Sequence, residues 1–196
     1  MFFYWLSKII FGIFAKTCLR LRVEGRGNLP AQGAFILAAN HASSLDPFVI
    51  IAAVNRYIRW LVIHEYYDQP YFRWFLKKMR FIRIENNLPK EAFRALKYGQ
   101  VIGIFPEGRR CWDGKLGPAR PGATVLAERT AVPVVPVVVL GSFQALPRTK
   151  KWIKFSPVTV RIGTPVFFSK AENPAHQDIE QDNTKKLMQR LAELMY

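Results

Sequence analysis

The chain has 196 residues, half of them hydrophobic, and 29 Lys and Arg against 14 Asp and Glu give a formal net charge of +15. That length suits one domain with a substantial core, and the charge points to an anionic partner: nucleic acid, an anionic bilayer surface or phosphorylated substrates. Fifteen Phe and five Trp, with no zinc-finger, RNP or helix-turn-helix signature, argue against nucleic acid.

Residues 1–15 are strongly apolar, but Lys8 interrupts them and the run falls short of the roughly 20 residues a spanning helix needs. No basic region precedes the run and no A-x-A site follows it, unlike a secretory signal. On a helix Lys8, Gly12, Lys16 and Arg20 recur every fourth position as one drifting polar stripe, leaving the aromatic remainder for lipid. Residues 1–20 are therefore expected to form an amphipathic, membrane-associating helix on an anionic surface, and residues 21–196 the domain proper. The competing expectation is a helix docked on the domain's own core.

Short strands are expected over 21–24 and 35–39, with a turn between them. Pro47 suits the first turn of a helix through Val49 and Val54, with Asp46 or Ser43 as its cap. A strand over 59–63, a helix over 71–79 and a strand over 81–84 follow. Next come a helix over 87–98 closed by Gly99, a buried strand over 101–105, a helix over 122–129, and strands over 134–140 and 158–162. Leu187, Met188, Leu191, Leu194 and Met195 form the apolar stripe of a last helix. This alternation predicts a single α/β domain with a mixed, largely parallel central sheet flanked by helices.

Chemistry concentrates at two strand ends. His41 and Asp46 lie in the loop after the strand over 35–39, where ligands bind in open α/β sheets. The pair reads as a general base with the carboxylate that orients it. Ser43 and Ser44 lack a Gly-x-Ser-x-Gly elbow and read as turn or cap residues. After the strand over 101–105 come Glu107, Gly108, Arg109 and Arg110, a pattern suited to an anion, since glycine admits close backbone approach and guanidinium binds phosphate in a fork. Glu107 is expected to accept from an arginine or from a ligand hydroxyl. Cys18 and Cys111 make no metal or disulfide pattern, so a reducing compartment is expected and Cys111 reads as incidental. His64, in an apolar-aromatic segment, and His176, in a polar loop, read as structural or solvated.

Asn-His-x-x-x-x-Asp at 40–46, Phe-Pro-Glu-Gly-x-Arg at 105–110 and Val-Pro-Val-Val-Pro-Val at 132–137 occur in the order and at the separations of the glycerolipid acyltransferases. From about residue 21 to 168 the chain resembles bacterial 1-acyl-sn-glycerol-3-phosphate acyltransferases. The resemblance implies transfer of an acyl group from acyl-CoA or acyl carrier protein to the hydroxyl of a lysophospholipid. It casts His41 and Asp46 as catalytic residues and Glu107, Gly108 and Arg110 as substrate-binding ones. It implies no cofactor and no metal, and a peripheral or monotopic place on the cytoplasmic face of a bacterial inner membrane. One position departs from the pattern. Aligned on Asn86 and Asn87, Glu85 stands where the family carries a substrate-binding arginine; Arg83, two residues earlier on the same strand face, is the substitute candidate, displaced by about 7 Å. Acylation of lyso-ornithine lipid, lysophosphatidylethanolamine or glycerol 3-phosphate stays open at this level, as does a non-catalytic basic protein of the membrane surface.

Overall fold

A computed structural model describes residues 1–85, 87–168 and 176–196. Asn86, used above to align Glu85, lies outside the described residues. The chain runs through helix α1 (Phe2–Cys18), strand β1 (Arg22–Glu24), a short 3-10 turn (Arg26–Asn28), β2 (Phe35–Ala39), α2 (Asp46–Ala53), β3 (Ile58–Ile63), α3 (His64–Tyr67), α4 (Pro70–Lys78) and β4 (Ile82–Ile84). It continues through α5 (Lys90–Lys97), β5 (Val101–Ile104), α6 (Gly122–Thr130), β6 (Val134–Leu140), α7 (Ser142–Ala145), β7 (Thr159–Ile162) and α8 (His176–Met195).

The seven strands form one sheet in the order β1-β7-β6-β2-β5-β3-β4, parallel throughout except for the β6–β7 pair. Strands β2 and β5 are buried along their whole length because helices cover both faces, which is why they read as unbroken apolar runs. One core layer joins Val49, Ile50 and Ile51 of α2 and Tyr4 and Ala15 of α1 to the sheet. The other joins Ala92, Ala95 and Leu96 of α5, Leu126 of α6 and Leu187 of α8 to the opposite face. Pro136 sits inside β6, where a proline normally costs a ladder bond. Its carbonyl accepts from the Gly163 N–H, so its missing donor faces the side where the β7 ladder has ended, and pairing with β2 is intact.

Helix α1 docks on the domain through one side and leaves the other exposed. Tyr4, Ser7 and Ala15 are buried against the domain, and the Tyr4 hydroxyl accepts from the Ile58 N–H at 3.1 Å. Phe2, Trp5, Leu6, Ile9, Ile10 and Ile13 remain exposed on the outer side. The polar stripe is split, because Lys8 turns inward: its ammonium binds the Val54 carbonyl at the end of α2 and Asn55 Oδ1. Among the described residues no helix is long and apolar enough to cross a membrane.

Other differences are local. The helix expected over 87–98 begins only at Lys90, because Pro89 fits the N-cap and the extended backbone before it cannot be helical. His176 opens α8 instead of lying in a loop, and His64 opens the short helix α3, where it is exposed.

Candidate functional site

Strands β2 and β5 are parallel neighbours with Ala38 opposite Ile104, so His41 and Glu107 each follow three residues beyond a paired position. Two loops separated by 66 residues are thereby brought side by side at one end of the sheet. Asn40 closes the other flank: its Oδ1 accepts from the Val139 N–H of β6 at 2.8 Å.

His41 Nδ1 lies 2.9 Å from Asp46 Oδ2. The carboxylate can only accept, so Nδ1 carries the hydrogen and Nε2 keeps its lone pair. The same Oδ2 accepts from the Ala42 N–H at 2.8 Å and the Ser43 N–H at 2.7 Å, which folds the loop tightly around a carboxylate that is 0 % exposed. Asp46 is thus the first residue of α2 and reaches back into the turn rather than capping the helix. Ser43 is a turn residue whose hydroxyl accepts from the Leu45 N–H and donates to the Leu146 carbonyl.

A stack of rings fixes the plane of the imidazole. Phe105 lies on His41 with centroids 3.8 Å apart and planes 10° apart, and Trp60 lies on the other side of Phe105 at 4.5 Å and 13°. Gly103, opposite Trp60 in the β3–β5 ladder, makes this possible: a Cβ there would stand 2.7 Å from the indole ring. Sequence reasoning missed this support. The one available signal was a glycine inside an otherwise apolar buried strand.

Glu107 joins the two loops through backbone. Its Oε1 accepts from the His41 N–H at 2.8 Å and its Oε2 from the Gly117 N–H at 3.0 Å, so both oxygens hold backbone and neither is bonded to an arginine. Burial pushes the Glu107 carboxyl above the ordinary carboxylate range, with these two donors pulling the other way. Gly108 has φ +68, a left-handed turn suited to glycine, and sends the chain on to Arg110. Arg110 donates to the Ser44 hydroxyl at 2.6 Å and has its guanidinium 6.0 Å from the Tyr66 ring, which sets a half-buried cation beside the His41 loop. Cys111 donates its N–H to the His41 carbonyl at 2.8 Å, while burial pushes its thiol up, away from the reactive thiolate.

Arg83 stands apart from this group. It donates to Asp68 Oδ2 at 2.7 and 2.9 Å and is paired with Glu85, and these contacts hold the Asp68 carboxyl below its usual range. Glu85, expected from the resemblance at the position of the family arginine, is thus an ion-pair partner of Arg83. Among the described residues no group of three or more His, Cys, Asp or Glu is clustered to hold a metal ion.

The family model described as Acyltransferase matches residues 20–140. The chain is 27% identical over 180 residues to the chloroplastic 1-acyl-sn-glycerol-3-phosphate acyltransferase BAT2 of Brassica napus, covering 87% of this chain and 52% of that one. It is 26% identical over 189 residues to the 1-acyl-sn-glycerol-3-phosphate acyltransferase of Bacillus subtilis, covering 91% and 92%. The chain spans about half the length of the two chloroplastic plant relatives it matches, from Brassica napus and Arabidopsis thaliana. The crystal structure of the 1-acyl-sn-glycerophosphate acyltransferase PlsC from Thermotoga maritima superposes with a TM-score of 0.72 at 26% identity, covering 95% of this chain and 78% of that one.

Proposed function

Since the chain belongs to the acyltransferase family, we propose that it transfers a fatty acyl group from a thioester, acyl-CoA or acyl carrier protein, to the free hydroxyl of a lysophospholipid. The acceptor favoured by the relatives' names is 1-acyl-sn-glycerol 3-phosphate, which would become phosphatidic acid. The observation that carries the reading is the 2.9 Å contact between His41 Nδ1 and a buried Asp46, which leaves Nε2 as the free base in a loop whose Ser44 hydroxyl holds Arg110.

In this reading His41 Nε2 removes the acceptor's hydroxyl proton as the oxygen attacks the thioester carbonyl. Asp46 Oδ2 holds the Nδ1 hydrogen and stabilises the imidazolium that forms. The tetrahedral intermediate collapses with cleavage of the C–S bond, and the proton passes from Nε2 to the departing thiolate. A thiol with an ordinary pKa of about 8.5 is a fair leaving group, so activating the alcohol and excluding water are the harder demands. Arg110 binds the acceptor's phosphate, with Gly108 setting the turn that presents it. Glu107 is a positioning residue: by holding the His41 N–H it keeps the imidazole over Phe105.

The exposed apolar side of α1 lies in the interface of an anionic bilayer on its cytoplasmic face, so the lysolipid hydroxyl reaches His41 without leaving the membrane surface. Product analysis by mass spectrometry, after incubation with acyl-CoA or acyl carrier protein and a panel of lysolipids, tests the acceptor. Phosphatidic acid is the expected product. Acylation of lyso-ornithine lipid or lysophosphatidylethanolamine alone would overturn the choice of head group, and thioester loss without a lipid product would make water the acceptor.

A further inference from the structure

A cavity of about 710 Å³ opens beside α4 at the edge of the sheet. Its walls include Tyr57 and Arg59 at the start of β3, Arg80 and Phe81 before β4, and Gln100 before β5. These three strands are parallel to one another, so this is the end of the sheet opposite to the one carrying His41 and Glu107.

Five cations line the cavity, Arg59, Arg73, Lys77, Arg80 and Arg83, against the two carboxylates Asp68 and Glu91. Both carboxylates are already taken, Glu91 by Arg59 and Asp68 by Arg83. Among the described residues Arg73, Lys77 and Arg80 have no ion-pair partner. Arg73 and Lys77 stand one turn apart on α4, so both reach the same wall.

Arg80 supplies a second observation. It has φ +55 just after the C-cap Met79; its N–H donates to the Lys77 carbonyl, and that of Phe81 to the Leu76 carbonyl. This hydrogen-bond pattern usually places glycine at the left-handed position. A side chain there is strained, and strain of this kind collects where a side chain is in use. The Arg80 carbonyl accepts from Arg59 Nε at 2.8 Å, so the strained turn is held at the cavity wall.

The cavity also meets the apolar surface. Met1 lines it, and Phe3 of α1 packs edge-on against Trp74 of α4 at 5.4 Å. Phe2, Tyr71 and Trp74 are 81%, 75% and 61% exposed on the two helices. Aromatic side chains beside a pocket of uncommitted arginines suit the boundary where lipid tails give way to phosphates.

We propose that this cavity is a second anion site, which takes the phosphate of an anionic bilayer phospholipid while α1 and α4 lie in the interface. Guanidinium and phosphodiester pair in a fork, so the site would anchor the edge of the domain and fix its tilt on the membrane. The ligand class rests on the bilayer contact proposed above and not on acyl transfer.

The test is co-sedimentation of the full chain with phosphatidylcholine vesicles, with and without phosphatidylglycerol. Arg80→Gly removes the cation and relieves the strained φ, so the fold is not at risk. Lys186→Ala, exposed on α8, removes the same charge elsewhere. Arg80→Gly is expected to weaken partition onto the anionic vesicles about fivefold, with a melting temperature equal to or above wild type. Lys186→Ala is expected to leave partition within about twofold. His41→Ala should bind as wild type does, so a failure of the acyl-transfer reading would not be mistaken for a failure of this one. Equal losses in the two charge variants would overturn the site. So would stabilisation by inorganic phosphate or CoA alone that Arg80→Gly abolishes, because the ligand would then be a free anion and not a lipid.

Discussion

Replacing Glu107 by Gln tests whether one buried carboxylate holds the His41 loop in place. The carboxylate accepts two backbone N–H groups, from His41 at 2.8 Å and Gly117 at 3.0 Å, and glutamine keeps an oxygen for only one of them. A hydrogen bond to a charged group contributes about 1.5–3 kcal/mol, and a buried donor left facing an amide NH₂ costs about 1–3 kcal/mol. Against this, the carboxyl's raised pKa means that burying its charge is itself unfavourable, and the neutral amide is relieved of that cost. The net loss of stability at neutral pH is expected to be about 2 kcal/mol. The pH dependence has a definite sign. Between the unfolded carboxyl's ordinary pKa and its higher native value, the native state holds a proton that the unfolded state lacks, so Glu107's contribution is larger at low pH and shrinks as pH rises through the native value. Glutamine does not titrate, and the other carboxyls cancel between the two proteins. Urea unfolding of both proteins at about pH 7.5 and about pH 5 should therefore show a gap that widens on acidification, with m unchanged. A gap that narrows, or a variant as stable as wild type at both pH values, would refute the reasoning.

Arg110→Ala is expected to raise the KM for a phosphorylated acceptor about tenfold with a smaller change in kcat, as steady-state kinetics would show, since the lost contact acts on bound substrate and transition state alike. Gly103→Ala would drive a Cβ to 2.7 Å from the Trp60 ring, and thermal unfolding should report about 1–3 kcal/mol of destabilisation, with slower transfer as Phe105 and His41 shift. Ile10→Asp changes a residue 56% exposed on the outer face of α1, so the melting temperature should hold while vesicle co-sedimentation falls by about tenfold or more.

What could be read in the sequence follows from how local each signal is. Strands β2 and β6 keep their expected bounds because their apolar runs are bracketed by polar or turn residues. His41 and Asp46 were legible as a pair because one loop holds both. Glu107's two backbone partners were not legible, because they are set by the Ala38–Ile104 register, and no spacing along the chain encodes a register between strands. The Trp60–Phe105–His41 stack was invisible for the same reason. Arg83 was singled out from the family resemblance and strand alternation, and neither shows that Asp68, 15 residues away at the end of α3, pairs with it. The four-residue helix α3 has too few residues to show any periodicity. Helix α1 looked like a choice between lipid and core because a helical projection shows which residues share a face but not which face meets the domain. The buried Tyr4 and inward Lys8 decide it for the inner side.

The central claim is that His41 is the base that activates a lysolipid hydroxyl. Its most direct measurement is the rate of phosphatidic acid formation from a thioester donor and 1-acyl-sn-glycerol 3-phosphate, followed by mass spectrometry for wild type and His41→Ala with matched melting temperatures. A loss of about 10²–10⁴-fold in kcat is predicted, the range in which general-base catalysis contributes. A variant that folds normally and keeps more than about a tenth of the wild-type rate would contradict the account.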